Sequence, residues 1–310
     1  MAVWGAAVAQ ALAVILVAPL VQGLIQRVKA GLQGRHGPGV LQPYRTLLKL
    51  WRRQDVRPEA ASWIFGAAPR VALGLVVAAA LCLPLLWTPA PLGWGGDFIV
   101  VVGLLGLERF VLSLAGLDTG TPFGGLGSSR ENILGALVEP AFFALALPWM
   151  VVAGSTAWAA LITASASAAP ISVVRFFGLG AALIVSLAET GRLPVDNPDT
   201  HLELTMIHEA MVLEYSGPQL ALIMLAQMVK QLLVLALVAD LLLPWGVGRT
   251  MLAPALQPLL ALAKWFALAV GLGIAESLSA KLRFFRLPGY LGAAAALSSA
   301  AAVLQVWGGR

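Results

Sequence analysis

The sequence predicts an all-α, polytopic integral membrane protein that crosses the bilayer about eight times. Only 11% of its 310 residues are charged and 59% are hydrophobic, whereas about 25% of residues are charged in an average soluble domain. A helix needs about 20 apolar residues to cross a hydrocarbon core about 30 Å thick. Runs of this kind follow one another along the chain, so we treat residues 1–310 as a single transmembrane domain. The predicted spans are 3–25, 71–88, 98–117, 132–153, 171–189, 217–243, 254–279 and 287–307.

Lysine and arginine collect in alternate connections, which predicts the orientation of the chain. Nearly all lysines and arginines outside the spans lie in the loops 26–70, 118–131 and 190–216 and in the short connection after residue 279, whereas the opposite connections hold only Arg249 and Arg310. By the positive-inside rule the connections that hold the lysines and arginines face the cytoplasm and both termini face outward, as expected in a bacterial-type inner membrane. The net charge of +5 therefore reflects orientation, and we expect no nucleic acid partner.

The first cytoplasmic loop contains a predicted amphipathic helix at 43–54. Leu47, Leu48, Leu50 and Trp51 give it an apolar side, and its other positions are rich in arginine and lysine. A helix of this kind lies in the plane of the membrane interface. Two interpretations stay open, a helix bound to lipid headgroups and a basic platform for a soluble partner. The basic residues, which we call the first-loop platform, are Arg35, Arg45, Lys49, Arg52 and Arg53.

The second cytoplasmic loop is rich in glycine and ends in the sequence Ser128-Ser-Arg-Glu131. The S-x-x-E pattern is that of a capping box, so we expect the fourth span to begin there and the glycines to stay in the loop. A glycine-rich loop at a helix N-terminus can also cradle phosphate. The pattern of a nucleotide-binding loop is missing from the sequence, so structural capping is the favoured interpretation.

The third cytoplasmic loop, with its flanking residues 189–217, holds six of the fifteen acidic residues and two of the three histidines. We expect Pro194 and Pro198 to keep its first part extended and a short amphipathic helix to open at Thr200. His208-Glu209 does not continue as the H-E-x-x-H motif of zinc proteases, so docking or hydrogen bonding is favoured over metal binding. The candidate docking residues are Arg192, Asp196, Asp199, His201, Glu203, His208, Glu209, Glu214 and Tyr215.

Ionisable residues within the predicted spans form a second candidate site. Each costs about 3 kcal/mol on insertion scales, and such residues usually face protein or a water-filled path. Their number favours a path for protons or charge over one structural ion pair. Asp240 is left out because its side chain is near enough to the outer edge to reach water. The candidate path residues are Glu108, Arg109, Glu139, Glu189, Lys230, Lys264 and Glu276.

Three sequence motifs resemble those of a known family. They are GRHGPGVLQPYRTLLKLWRRQDVRPE at 34–59, DTGTPFGGLGSSRE at 118–131 and AETGRLPVDNPDTHLELTMIHEAMVLEYSG at 188–217. In this order they resemble the membrane-anchor subunits of energy-converting [NiFe] hydrogenases and formate hydrogenlyases. These proteins are relatives of subunit 1 of respiratory complex I, the NADH:quinone oxidoreductase. The THLELTMIHEA segment looks like the hydrogenase branch, and Gly191 and Val195 depart from the complex I pattern.

The resemblance implies a non-redox membrane subunit of an oxidoreductase complex, which anchors a cytoplasmic redox module and couples electron transfer to proton movement. The implied partners are a [NiFe]-hydrogenase-like large subunit, an iron–sulfur small subunit and antiporter-like membrane subunits. The [NiFe] centre and the iron–sulfur clusters would lie in those partners, and this chain would hold no cofactor, although lipid could be bound. Matched motif by motif, the resemblance implies that the junction of redox module and membrane includes Glu189, Arg192, Asp196, Asp199, Glu203, Glu209 and Glu214. Glu139 fits the acid that the resemblance implies in the fourth span.

Two alternative functions stay open. The first is the quinone-binding subunit of a complex I-like NADH dehydrogenase, which requires a cavity that opens to lipid beneath the first and third cytoplasmic loops. The second is a freestanding cation or proton transporter, although the internal repeat that transporters often show is not evident in this sequence. The single cysteine, Cys82, excludes an intrachain disulfide and an iron–sulfur cluster held by this chain alone.

Overall fold

The computed structural model describes residues 2–87, 90–167, 172–196, 207–245, 256–280 and 282–308. Within these ranges the chain is helical and shows no strand beyond an isolated bridge between Asp97 and Ala157. The α-helices are α1 (Ala2–Leu32), α2 (Gln42–Trp51), α3 (Trp63–Cys82), α4 (Phe98–Asp118), α5 (Pro122–Ala153), α6 (Trp158–Ser167), α7 (Val173–Glu189), α8 (His208–Val212), α9 (Gly217–Leu242), α10 (Gln257–Leu278) and α11 (Leu287–Gly308).

Seven of the described helices are long and apolar enough to cross a membrane, namely α1, α3, α4, α5, α9, α10 and α11. The predicted span at 171–189 corresponds to α7, whose 17 residues are at the lower limit of the usual crossing length. The fold class predicted from the sequence, an all-α polytopic membrane protein, is confirmed.

The bundle has two ends, which contacts between connections define. At one, which we call the loop end, the Ser62 amide donates to the Asp118 carboxylate over 2.8 Å, and the Leu282 amide donates to the Pro194 carbonyl over 2.9 Å. The loop end therefore gathers the connections after α1, α4, α7 and α10. At the far end the Trp158 amide donates to the Gly96 carbonyl over 2.8 Å.

Helix α9 forms the centre of the bundle. Nearly all of its residues from Ala226 to Leu242 are buried, and it packs against α1, α2, α3, α6, α7 and α10. The other long helices bury one side only and leave large apolar side chains such as Leu12, Leu16 and Phe176 exposed. This pattern fits helices that face lipid around a central helix, and it places Lys230 of α9 deep in the protein.

The start of α5 differs from the prediction. The segment 122–131 is helical, and Ser128 and Glu131 lie inside α5 instead of forming a capping box. The observed N-cap is Thr121, whose hydroxyl accepts a hydrogen bond from the Gly124 amide over 3.2 Å. The glycines permit close packing, since a Cβ on Gly127 would lie 2.9 Å from the Ile207 carbonyl oxygen. The predicted loop 118–131 is thus reduced to residues 119–121.

The other connections also differ in extent. Because α1 continues to Leu32 and α3 begins at Trp63, the first loop covers only 33–62 and not 26–70. Its predicted amphipathic helix is confirmed as α2. The sequence analysis did not anticipate α6, a short apolar helix at the far end. In the third loop the described helix is α8, and the predicted start at Thr200 lies outside the described residues.

Candidate functional site

A cavity of about 640 Å³ lies at the loop end, between α1, α4, α5, α7, α8, α9 and α10. One liquid water molecule occupies about 30 Å³, so the space can hold many. Its lining is rich in ionisable side chains, which include residues of both candidate sites and others that were not predicted. They are Lys29, Arg35, His36, Glu108, Arg109, Glu131, Glu189, Arg192, Asp196, His208, Glu209, Lys230 and Glu276.

Arg109 of α4 holds three carboxylates together beside the cavity, and two of them, Glu131 and Glu189, line it. Its Nε lies 3.1 Å from Glu131 Oε1, its Nη1 lies 3.1 Å from Glu139 Oε1, and its Nη2 pairs with Glu189. The planar guanidinium presents five donors in a fork, so one side chain can bind all three. Glu131 was missed by the sequence analysis, which assigned it to the capping box.

Lys230 of α9 extends this group. Its Nζ lies 3.0 Å from Glu108 Oε2 and 3.0 Å from Glu189 Oε1. The set of Glu108, Arg109, Glu131, Glu139, Glu189 and Lys230 is called the central cluster below. Five of these six residues were predicted as path residues, and the structure brings them together.

The central cluster contains more acidic than basic side chains. It holds four carboxylates and two cations, so in the fully ionised state it would carry a net charge of −2. Unbalanced charge away from bulk water is costly, and binding protons removes that charge. The carboxylates of the central cluster are therefore candidate proton-binding groups.

Two glycines leave room for these ion pairs. A Cβ on Gly135 of α5 would lie 2.9 Å from Arg109 Nη1, and a Cβ on Gly106 of α4 would lie 2.9 Å from Glu139 Oε1. Contacts shorter than about 3 Å are tighter than van der Waals packing allows. A side chain at either position would therefore displace the charged ends of Arg109 or Glu139 from the positions that they occupy beside α4 and α5.

A second group, the loop-end cluster, lies around Glu276 of α10. Glu276 is 1% exposed, and its two oxygens accept hydrogen bonds from Lys29 Nζ and, over 2.7 Å, from Arg192 Nη1. Arg192 also donates to the side-chain oxygens of Gln22 and Gln231. Lys29 and Gln22 were missed because the sequence pattern assigns Lys29 to a loop and Gln22 to an ordinary span. Gln231 follows Lys230 on α9, so the two clusters adjoin.

The described residues of the third loop are tied to the same cavity. The Asp196 carboxylate accepts hydrogen bonds from the amides of Ile207 and His208, over 3.3 and 3.1 Å. Asp196, His208 and Glu209 line the cavity, whereas Glu214 does not. The predicted docking residues Asp199, His201 and Glu203 lie outside the described residues, so the alternative of metal binding with His208 and Glu209 stays untested.

Tyr215 fastens the end of this loop to α3. Its ring stacks on Phe65 with centroids 3.9 Å apart, and its hydroxyl donates to the Phe65 carbonyl over 2.9 Å. Burial, and then the neighbouring Asp118 carboxylate, raise the pKa of the Tyr215 phenol. The hydroxyl is therefore held in its donating, protonated form.

Lys264 does not join either cluster. It is buried in the half of α10 nearer the far end, where its electrostatic partner is Asp240, close to the end of α9. Asp240 is 6% exposed, so the expectation that its side chain reaches water is wrong. Its carboxylate points into the protein, toward Lys264 and the Trp158 indole. The predicted path residues thus divide among the central cluster, the loop-end cluster and this far-end pair.

The five residues of the first-loop platform lie in two separate places. Arg45, Lys49, Arg52 and Arg53 lie on or next to α2 with exposed side chains, whereas Arg35 lies apart from them at the edge of the cavity. Sequence order alone grouped these five residues.

Known proteins match the chain over nearly its whole length. The family model for NADH dehydrogenase matches residues 5–306. Formate hydrogenlyase subunit 4 of Escherichia coli (strain K12) is 38% identical over 248 residues, which cover 79% of each chain. Hydrogenase-4 component C of the same organism is 36% identical over 280 residues, or 90% of this chain and 88% of that one.

The fold has a solved counterpart. A chain in the structure of the membrane-bound sulfane sulfur reductase, an archaeal respiratory membrane complex, is similar with a TM-score of 0.84 and 19% identity, over 98% of this chain and 100% of that one. The family model and the two relatives confirm the resemblance found in the motifs. The chain belongs to the NADH dehydrogenase family related to complex I subunit 1, and it is homologous to membrane subunits of formate hydrogenlyase and hydrogenase-4.

Proposed function

We propose that the chain is the membrane subunit of a hydrogenase-type, proton-translocating oxidoreductase complex. It anchors a cytoplasmic redox module at the loop end and couples electron transfer there to proton movement. The observation that carries the proposal is the central cluster, in which an excess of buried carboxylates adjoins a cavity at the loop end. The names of the two E. coli relatives support the hydrogenase branch.

The assembly follows from this proposal. The loop end faces the cytoplasm, with both termini outside, and docks a [NiFe]-hydrogenase-like large subunit and an iron–sulfur small subunit. The [NiFe] centre and the iron–sulfur clusters belong to those partners. This chain supplies protonatable side chains and no complete active site of its own.

The coupling acts through the shared cavity. Asp196, His208 and Glu209 of the third loop line the same space as Glu108 and Glu189. A redox-driven charge change near the loop alters the potential at the central cluster, because interactions between charges are stronger away from bulk water. The carboxylates respond by binding or releasing protons, which water in the cavity exchanges with the loop end.

The central cluster also reaches the side of the bundle. Arg109 joins the buried Glu189 to Glu139, whose side chain is 44% exposed on α5. Glu139 lies midway along this 32-residue helix, where a bare carboxylate in lipid is costly. A neighbouring antiporter-like membrane subunit therefore covers this face and receives charge or protons through Glu139.

Quinone binding is the second candidate because it requires a cavity at the loop end, and a cavity is present there. A volume of about 640 Å³ is within the range of small-molecule sites, about 300–1,000 Å³, but such sites are lined mostly by apolar side chains. The many charges in this lining favour water and protons instead. A quinone analogue that binds the purified complex and is displaced by Met224→Trp, a change in the cavity wall, would favour the second candidate.

The test of the first candidate uses the assembled complex with Glu189→Gln. We expect the partner subunits still to copurify, since the amide keeps the shape of the side chain, and proton-coupled turnover to fall at least tenfold. The exposed Glu59 provides a matched control, because Glu59→Gln makes the same change far from the cavity. Unchanged assembly and unchanged proton-coupled turnover in Glu189→Gln would refute the assigned role.

A further inference from the structure

The surface of α2 is divided into three sectors, and the bundle occupies only one of them. Pro43 is buried and Leu47 packs against the core. On the adjoining sector Leu48 and Trp51 are 61% and 59% exposed. The third sector carries the basic residues, because at 3.6 residues per turn Arg45, Lys49 and Arg52 share one side. An exposed apolar sector beside a basic one is typical of helices that lie in a membrane interface.

The position of α2 along α1 sets its depth in the membrane. Helix α1 has 31 residues and is about 46 Å long, so it exceeds a hydrocarbon core of about 30 Å. Twenty residues counted from Trp4, where the apolar span begins, end at Gly23. The chain entering α2 packs at this level, since the Val40 carbonyl lies directly against Gly23 and the Tyr44 hydroxyl donates to the Leu16 carbonyl. Thus α2 lies at the hydrocarbon boundary, within reach of headgroups.

The basic sector lacks an anion. Residues 37–54 include no acidic residue. In the described part of the chain, Arg45, Lys49, Arg52 and Arg53 form no ion pair with a carboxylate. Four exposed cations within nine residues repel one another unless anions lie between them, and the lipid headgroups at this depth can supply those anions.

We propose that α2 is a binding site for anionic phospholipid, with the acyl chains against Leu48 and Trp51 and the phosphate among Arg45, Lys49, Arg52 and Arg53. The depth of α2 favours lipid over a soluble protein, which would approach from the aqueous phase. This inference stands on the geometry of α2 and does not depend on the proposed function.

The site adjoins the helix that carries Lys230. The Ser216 hydroxyl accepts a hydrogen bond from the Val56 amide over 2.8 Å and donates to its carbonyl over 3.1 Å. Gln219 donates to Asp55 over 2.7 Å. Residues 53–56 therefore fasten the end of α2 to the start of α9, and bound lipid stabilises this junction.

The experiment uses the full-length chain in a neutral detergent, titrated with phosphatidylglycerol or phosphatidylcholine, with bound lipids counted by native mass spectrometry. We expect phosphatidylglycerol to bind about tenfold more tightly, since each cation near an anionic headgroup strengthens binding severalfold. The fourfold variant Arg45→Gln/Lys49→Gln/Arg52→Gln/Arg53→Gln should lose this preference. Phosphatidylglycerol should also raise the unfolding temperature of the unmodified chain but not that of the variant.

Two controls separate charge from location. Arg45→Lys/Arg52→Lys/Arg53→Lys keeps the charges and should keep the preference. Arg283→Gln/Arg286→Gln removes exposed cations elsewhere at the loop end and should also keep it. If the fourfold variant retains the preference, or the second control loses it, the proposal is overturned. A fourfold variant that binds lipid normally but no longer copurifies with soluble subunits would show that α2 is a protein platform instead.

Discussion

Glu189, the last residue of α7, lies 3.0 Å from the ammonium nitrogen of Lys230 in the middle of α9. The third loop begins immediately after Glu189, so this contact ties the start of that loop to the centre of the bundle. A displacement of the loop by a partner therefore acts directly on a buried ion pair.

Removal of Arg109 should destabilise the protein strongly. Arg109→Gln leaves Glu131, Glu139 and Glu189 without their shared cation. Removing one partner of a buried ion pair lowers the free energy of unfolding by about 3–5 kcal/mol. Arg109→Lys should cost less, because it keeps the charge but cannot reach all three carboxylates. The buried thiol of Cys82 provides the measurement, since it reacts with a thiol-specific fluorophore only on unfolding. Equal stability of Arg109→Gln and the control Arg283→Gln, which changes an exposed residue, would contradict a stabilising role of Arg109.

Adding one methyl group beside Arg109 should also be harmful. In Gly135→Ala the new Cβ would lie 2.9 Å from Arg109 Nη1, and we expect a loss of about 1–3 kcal/mol from overpacking. Gly125→Ala lies on the same helix with nothing within 4 Å of its Cβ, so it should be neutral or stabilising by up to about 1 kcal/mol. The unfolding temperatures of the two variants are then compared. Equal changes in both would show that the stability of α5 depends on helix propensity alone.

The sequence revealed the buried charges but not their grouping. Glu108, Arg109 and Lys230 were recognisable because an ionisable residue within an apolar run has few structural explanations. Glu131 was hidden by the pattern Ser128-Ser-Arg-Glu131, which is equally compatible with a capping box. Which side chains meet depends on how helices distant in the sequence pack, and periodicity within one helix does not contain that information.

The errors in the fold have a similar cause. The glycines at 124–127 were assigned to a loop because the S-x-x-E pattern placed the start of the fourth span at Ser128, and glycine also has a low helix propensity. In the structure α5 packs so closely against α8 that a Cβ on Gly127 would collide with Ile207, and tertiary packing outweighs the propensity. For Asp240, position along the helix was readable from the sequence, whereas the direction of its side chain depended on the neighbouring Lys264 and Trp158.

Loss of the Tyr215 hydroxyl should weaken the attachment of the third loop to α3. Tyr215→Phe keeps the ring stacked on Phe65 but removes the 2.9 Å hydrogen bond to the Phe65 carbonyl. A buried hydrogen bond of this kind contributes about 1 kcal/mol, and we expect a loss of that size in unfolding experiments. Tyr290→Phe in α11 makes the same chemical change where no hydrogen bond to the hydroxyl is seen among the described residues, so it should have little effect. A larger loss in Tyr290→Phe than in Tyr215→Phe would count against the attachment.

The far-end pair of Asp240 and Lys264 should show that one uncompensated buried charge destabilises the protein more than no buried charge at this place. Asp240→Asn leaves Lys264 buried without its electrostatic partner, and Lys264→Met does the same to Asp240. Each single change leaves one buried charge without compensation and should be destabilising, whereas replacing both groups by neutral side chains is often near neutral. The double variant Asp240→Asn/Lys264→Met should therefore be more stable than the less stable single variant. Unfolding temperatures of all four proteins complete a double-mutant cycle. Strictly additive losses would show that Asp240 and Lys264 act independently, because a real pair must give a coupling energy that differs from zero.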